Sequence, residues 1–404
     1  MRVLVVSQMY PRPDAPAYAA FVRRQVEALA ASGVEVEVCA PMMAAPPVLW
    51  WHPRWRAHGQ VPLADAAGGV HVARTRYYSP PGMRLHILEG ATMRRALLSA
   101  AARWRGRVDL VHANRLFPEG YAALALGRAL GVPVVAMARG MDLNLIPAWG
   151  PAYREALRVV AREAHGILSV SGALLADLAA VAPGAAPAPR AVIYNGVDPI
   201  APADAAERRR LRERFGLPLE VCLAGYVGRL EPDKGTPELL RAFGAAAARV
   251  PGLHLAAVGE PRRRGYASDI AAAGLAPRVH LLGVRHPGEI RELVRAFDFF
   301  VFPSRLEGVP NALLEAMAAG LACVATRAGG IAEVLPAAAG LLVAVGDVRA
   351  LEEGIVRLAL EPALRAELGA RARAQVLAHH SWAANAEALK AFYARVLGAQ
   401  RVAA

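Results

Sequence analysis

Lysine is nearly missing from this 404-residue chain. Only Lys234 and Lys390 occur, while Lys and Arg together number 47. Arginine therefore carries the formal charge of +13. A surplus of this kind suits anionic substrates or an anionic membrane surface. No basic tract or nucleic-acid motif accompanies it, so no nucleic-acid partner is expected. Cysteine is also scarce. Cys39, Cys222 and Cys323 lie far apart in separate apolar runs, without metal-ligand spacing. A disulfide framework is not expected, and a reducing compartment, the cytoplasm, is the simplest reading. No run of 18 apolar residues is present, so no spanning helix is predicted. The opening MRVLVVSQMYPR has too short an apolar core for a secretory leader and reads as a first strand. No glycine lies between Ser7 and Ser32. That removes the G-x-G-x-x-G turn of a nicotinamide-dependent dehydrogenase. No Asp-x-Asp metal motif appears, so neither a metal nor another cofactor is expected.

What is present describes a globular α/β protein. Hydrophobic residues make up 55% and charged residues 20%, and the length accommodates two ordinary domains. The most informative stretch is Ser304 to Gly320, SRLEGVPNALLEAMAAG. It follows the buried-strand pattern Phe299–Phe302. Pro310 suits the first helical position, where a missing N–H is harmless. Gly320 suits the stop. A charged loop at a strand's carboxyl end is where open α/β sheets bind ligands. Glu307 lies in that loop and Glu315 eight residues later, about 7–8 Å up the helix axis from Pro310. Two carboxylates so placed can grip opposite ends of one elongated ligand. The N–H groups of Val309, Asn311 and Ala312 face the same ligand, where the helix dipole favours an anion. A capped core helix with a solvated Glu315 is the plainer reading for a single Glu. The pair makes it the weaker one.

A second phosphate signal is Gly228-Arg229-Leu230-Glu231-Pro232-Asp233-Lys234-Gly235, after the apolar strand 221–227. Arg can chelate a phosphate through two parallel N–H bonds, and Lys adds a compact charge. The alternative is an exposed loop in which Glu231 and Asp233 neutralise these cations.

GRLEPDKG, followed by the E-x7-E block EGVPNALLEAMAAGLACVATRAGGIAEV, resembles the retaining nucleotide-sugar glycosyltransferases of family 4. The resemblance covers nearly the whole chain, and the branch it suggests works in bacterial envelope or exopolysaccharide assembly. It implies the GT-B fold: two Rossmann-like domains facing a cleft, with a C-terminal helix crossing back to the first. The segment NGVDP matches the interdomain linker. The implied domains are 1–197 for the acceptor, 198–380 for the nucleotide sugar and 381–404 for the returning helix.

The resemblance also assigns roles. Glu307 would hold hydroxyls of the donor sugar and Glu315 those of the ribose. Gly308, Val309, Asn311 and Ala312 would border the phosphates, with Gly228 and Gly259 beside the nucleotide and Val284 along the base. Arg139-Gly140-Met141-Asp142 stands where many relatives carry His-Gly-x-Asp. Asp142 matches. Arg139 can stabilise phosphate charge but cannot act as a base; a structural Arg139–Asp142 pair is the alternative. His112, at the end of a short strand, is a further candidate, with a satisfied core histidine as its alternative. The family's glycine-rich turn after strand 1 is replaced by Ala19 and Ala20.

Trp50, Trp51 and Trp55 stand beside Arg54, Arg56 and His52 in a long loop over 41–62. Such a surface suits a lipid–water interface, or the rings pack back on the domain. The implied reaction moves a sugar from a nucleoside-diphosphate sugar to a hydroxyl of a glycan or lipid-linked acceptor, with retention and without metal. It would take place in the cytoplasm, open to peripheral contact at the inner membrane face. A GT-B phosphorylase or epimerase, or a nucleotide-sugar binder without turnover, are the other readings.

Overall fold

Phe299–Phe302 is buried at every position, which a strand achieves only when both faces of its sheet are covered. Apolar runs followed by helices recur in both halves of the chain. The structure, a computed structural model, describes residues 1–16, 18–44, 60–67, 69–79, 87–184, 188–261 and 265–403. The chain divides into two units, Met1–Gly196 with Trp382–Ala404, and Val197–Ser381.

The first unit holds an eight-stranded sheet. Its strands are β1 (Arg2–Val6), β2 (Glu35–Met43), β3 (Ala64–Ala67), β4 (Val70–Tyr77), β5 (Leu110–Ala113), β6 (Val134–Ala138), β7 (Gly166–Ser169) and β8 (Arg190–Val192). The order is β3-β4-β2-β1-β5-β6-β7-β8. Only β3 runs antiparallel to its neighbour. The helix Trp382–Ala403 belongs to this unit, with Leu389, Phe392, Tyr393 and Val396 buried.

The second unit holds six parallel strands: β9 (Cys222–Val227), β10 (Leu253–Val258), β11 (Val279–Gly283), β12 (Phe299–Phe302), β13 (Ala322–Thr326) and β14 (Leu341–Val343). Their order is β11-β10-β9-β12-β13-β14. Chain order therefore reverses between β9 and β12. Those two strands pair only through Phe299 with Ala224 and Phe300 with Gly225, so the loops that leave their carboxyl ends open a crevice at a topological switch point. The loops are 228–235 and 303–310, the two charged stretches singled out in the sequence.

Several expectations need correction. Pro310 is the N-cap, in extended conformation at φ −79 and ψ 119, and the helix is Asn311–Ala318. The first helix is Ala20–Ala31. Ala19 precedes it at φ 47 and ψ 41, a left-handed conformation that costs an alanine about 1 kcal/mol or more. The turn thus keeps a backbone suited to glycine without the glycine. β2 continues to Met43 instead of giving way to a loop at 41. After β5 the chain makes a π-type turn, Leu116–Gly120, with a cis Phe117–Pro118 peptide, and becomes α-helical at Tyr121. The proposed membrane loop with Trp50, Trp51 and Trp55 lies outside the described residues. Cys39, Cys222 and Cys323 are free thiols.

Candidate active site

In the second unit the sequence places Lys234 at the end of a 3-10 turn, Pro232–Lys234, and Glu307 in the loop after β12. The structure brings them together, with Lys234 Nζ donating to Glu307 Oε1 at 2.8 Å. Lys234 also donates to the Leu306 carbonyl at 3.4 Å. The Ser304 hydroxyl donates to the same Glu307 oxygen at 2.8 Å. Ser304 is 1% exposed, so it fixes the carboxylate from below. Its role was not legible, because a serine beside a proline reads as ordinary turn chemistry.

Glu307 is also set by a close backbone approach. A Cβ on Gly329 would lie 1.9 Å from the Glu307 carbonyl oxygen. Gly330 N donates to Gly308 O at 2.9 Å. The glycine pair thus lets the next loop pack directly on the Glu307 backbone.

Arg229 takes the alternative arrangement anticipated from sequence. Its Nη1 lies 2.6 Å from Glu231 and its Nη2 3.9 Å from Asp233, with the side chain 41% exposed. An anion that recruits Arg229 must draw it from Glu231. A half-exposed pair of this kind is weak, which makes such an exchange inexpensive.

Gly228 N donates to Val258 O, and Gly259 N to Gly283 O, each at 2.9 Å. These bonds stack the loops after β9, β10 and β11 side by side. Val284, next in line, is 73% exposed and offers an open apolar surface. Gly308 and Val309 are buried, while Asn311 and Ala312 are half-buried.

The Glu315 side chain makes no hydrogen bond among the described residues. Burial pushes its carboxyl up to about 7; nearby Arg291 holds it down and Asp198 pushes it further up. Arg291 is itself bound to Asp198 at 3.0 Å and to the Pro199 carbonyl at 3.1 Å. The Glu315 oxygens are therefore uncommitted acceptors.

The first unit carries a different cluster at the carboxyl ends of β5 and β6. Arg139 Nε donates to Asn114 Oδ1 and its Nη1 to Asn195 Oδ1, each at 2.9 Å. Its Nη2 donates to Gln25 Oε1. The guanidinium lies over the Phe21 ring, 5.3 Å from its centroid. Burial lowers its pKa to about 10, while Asp142, Tyr393 and Glu119 pull upward. The cation is held by neutral amide oxygens, so its charge is positioned and not cancelled by a direct carboxylate partner.

The expected Arg139–Asp142 pair forms through the backbone instead. Asp142 is fully buried and accepts from Arg139 N at 2.9 Å, Leu116 N at 3.1 Å and Phe117 N at 3.4 Å. It clasps the cis-proline turn to the loop after β6. Burial raises its carboxyl to about 6, against Arg115 and the backbone donors. We expect Asp142→Ala to leave three N–H groups without this acceptor and to cost about 3 kcal/mol or more. Calorimetric melting should fall by roughly 10 °C; a shift within about 2 °C would refute the clasp.

His112 lies in β5, 2% exposed. Its Nδ1 is 2.6 Å from the Tyr393 hydroxyl. Burial lowers its pKa to about 3, with the Arg139 charge adding to the effect. The structure gives it a packing partner on the helix Trp382–Ala403 within its own unit. Gln25 Nε2, from the helix Ala20–Ala31, donates to Asn385 Oδ1 of the helix Trp382–Ala403 at 3.0 Å.

Among the described residues, no group of three or more His, Cys, Asp or Glu is arranged to hold a metal ion. No helix among them is long and apolar enough to cross a membrane.

Two parallel α/β units of this topology, with the loops of one converging at a switch point, define a GT-B protein. The chain belongs to glycosyltransferase family 4. The family model described as Glycosyltransferase Family 4 matches residues 19–200, and that described as Glycosyl transferases group 1 matches residues 222–361. A Bacillus subtilis protein described as a teichuronic acid biosynthesis glycosyltransferase, TuaC, is 26% identical over 408 residues, covering 98% of this chain and 99% of its own. The D-inositol 3-phosphate glycosyltransferase of Actinosynnema mirum is 29% identical, covering 94% and 92%. Among solved structures, sucrose-phosphate synthase from Thermosynechococcus elongatus superposes with a TM-score of 0.80 at 21% identity, covering 99% of this chain and 100% of that one. Anabaena HepE in complex with UDP gives 0.73 at 20% identity, covering 98% and 100%.

Proposed function

We propose that this glycosyltransferase moves a sugar from a nucleoside-diphosphate sugar to a hydroxyl of a glycan or lipid-linked acceptor in bacterial polysaccharide assembly, with retention and without metal. The observation that carries the reading is the Lys234–Glu307 pair at 2.8 Å across the switch point, with the uncommitted Glu315 eight residues on. In this reading Glu307 accepts from hydroxyls of the donor sugar and Glu315 from those of the ribose. Gly228, Gly259 and Val284 border the nucleotide.

The bond from C1 to the β-phosphate oxygen breaks, and the bond from C1 to the acceptor oxygen forms on the same face. The acceptor proton passes to the departing phosphate. Negative charge accumulates on the diphosphate. Lys234, Arg229 once drawn from Glu231, and the first turn of the helix Asn311–Ala318 supply positive potential there. The relative in teichuronic acid biosynthesis supports an envelope polymer as the acceptor class. The charge of +13 supports peripheral contact with an anionic membrane on the cytoplasmic side.

Titration calorimetry with UDP-, GDP-, ADP- and dTDP-glucose in EDTA tests the reading. One nucleotide class should bind, and no binding by any of them would defeat the proposal. The pH dependence has a definite sign. A Glu315 with its proton on below about 7 can accept from fewer hydroxyls. Donor affinity should therefore fall as pH drops through that value, approaching about tenfold per pH unit. Glu315→Gln should bind weakly and lose this dependence. A flat wild-type profile would remove Glu315 from the ribose site, and proton NMR of the product would report its anomeric configuration.

A further inference from the structure

We propose that Arg305 and Glu238 are positioning residues, whose ion pair keeps the two motif loops in register while Lys234 and Glu307 are engaged with substrate. This rests on the reading of the site given above. Glu238 lies in the first turn of the helix Thr236–Arg249, four residues beyond Lys234. Arg305 lies two residues before Glu307. Arg305 Nη1 donates to Glu238 Oε1 at 2.6 Å. The same two segments are thus cross-linked twice, with reversed polarity. One link sets a cation of the first loop on an anion of the second, and the other does the opposite.

The two links have different fates in the reaction. The donor must part Lys234 from Glu307, because one is wanted by phosphate and the other by sugar hydroxyls. The pair Arg305–Glu238 shares a cavity with Pro232, Asp233, Pro237, Leu306 and Val345, and neither member has a role in donor contact. It persists when the first link opens. Apart from what Lys234 itself holds, two neutral ties also join the loops: Arg305 N to the Asp233 carbonyl at 3.0 Å and Ser304 Oγ to the same oxygen at 3.4 Å.

Glu238 is poorly provided for without Arg305. Its side chain is 8% exposed. Arg241 reaches Oε1 only at 3.4 Å, and Oε2 has no hydrogen-bond partner among the described residues. Loss of Arg305 leaves a buried carboxylate that must find water, and the loop that carries Glu307 shifts with it.

The test compares Arg305→Gln, Glu238→Gln and the double variant with wild type, well below their melting points. The probe is whichever of UDP-, GDP-, ADP- and dTDP-glucose binds wild type, together with its nucleoside monophosphate. The monophosphate lacks the sugar that Glu307 holds and the β-phosphate on which charge builds as the sugar leaves. Each single variant should raise KM for the sugar nucleotide about tenfold and leave monophosphate affinity unchanged. The double variant should be no worse than either single, the mark of a coupled pair. Arg305→Lys should recover part of the loss. Equal KM values, additive losses, or a parallel loss of monophosphate affinity would overturn the positioning role. Failure of wild type to bind any of the four would overturn the reading of the site itself, and this proposal with it.

Discussion

Lys234→Ala should weaken donor binding about 10- to 100-fold and lower kcat/KM further still. A charge-assisted hydrogen bond contributes roughly 1.5–3 kcal/mol, which sets the first range. The structure adds a second penalty. Lys234 neutralises Glu307 at 2.8 Å, and the two side chains are only 18% and 12% exposed. Without the amine, Glu307 keeps the Ser304 hydroxyl but has no countercharge in this loop. A diphosphate approaching the variant would meet uncompensated negative charge where wild type offers a neutral pair. The transition state, with more charge on the leaving group, is hurt more than the ground state. Lys234→Arg should restore part of the binding and less of the rate, because a planar fork cannot replace a compact ammonium in the same space. Steady-state kinetics with calorimetry would check both terms. A change below about threefold would mean that Lys234 serves only to pair Glu307.

Gly235→Ala should be as damaging by a different route. Gly235 sits at φ 68 and ψ 21, where an alanine costs about 1 kcal/mol or more from the backbone alone. Its added Cβ would lie 1.9 Å from the Pro303 carbonyl oxygen and 2.7 Å from the carbonyl carbon. Both obstacles are backbone, so no rotamer change relieves them. The loops after β9 and β12 would have to move apart by more than an ångström, carrying Lys234 away from Glu307. Strain of this kind costs roughly 2–4 kcal/mol in total. The folded fraction should bind donor at least about tenfold more weakly, since misplacement on this scale is expensive in a site. Thermal melting and calorimetry on the same sample separate the two effects. An alanine variant with unchanged melting and unchanged affinity would show that the two loops need not touch.

These effects explain which parts of the protein could be read in advance. β12 was legible because a strand buried on both faces leaves an unbroken apolar run. β3 and β4 were not. Their segment, ADAA followed by VHVARTRY, contains Arg74, which is 3% exposed and paired with Asp65 at 2.8 Å. A buried arginine breaks the hydrophobic pattern that marks a strand. The helix Ala205–Phe215 was missed for the same reason. Its arginines interrupt any apolar pattern, yet Arg212 is 4% exposed and bound to Asp298 at 2.7 Å. At the site, the charged side chains could be named from the motifs, and so could Glu231 and Asp233 beside Arg229, but the partners of Arg139 could not. Arg139 is held by Gln25, Asn114 and Asn195, and no local pattern links residues so far apart. Asp142 matched its motif, while its three backbone donors depend on a turn whose geometry has no signature in composition.

The chain path has a consequence in time. The first unit takes its last helix, Trp382–Ala403, from beyond the whole of the second unit, Val197–Ser381. A ribosome adds about 5–20 residues per second, so roughly 10–40 seconds separate the two pieces. The second unit is continuous and can fold as it emerges. The first must hold its eight-stranded sheet together meanwhile, with Gln25 and His112 waiting for Asn385 and Tyr393. What is synthesised first is therefore completed last, and the interval before Leu389, Phe392 and Val396 arrive is when its apolar seat is open to chaperones and to aggregation.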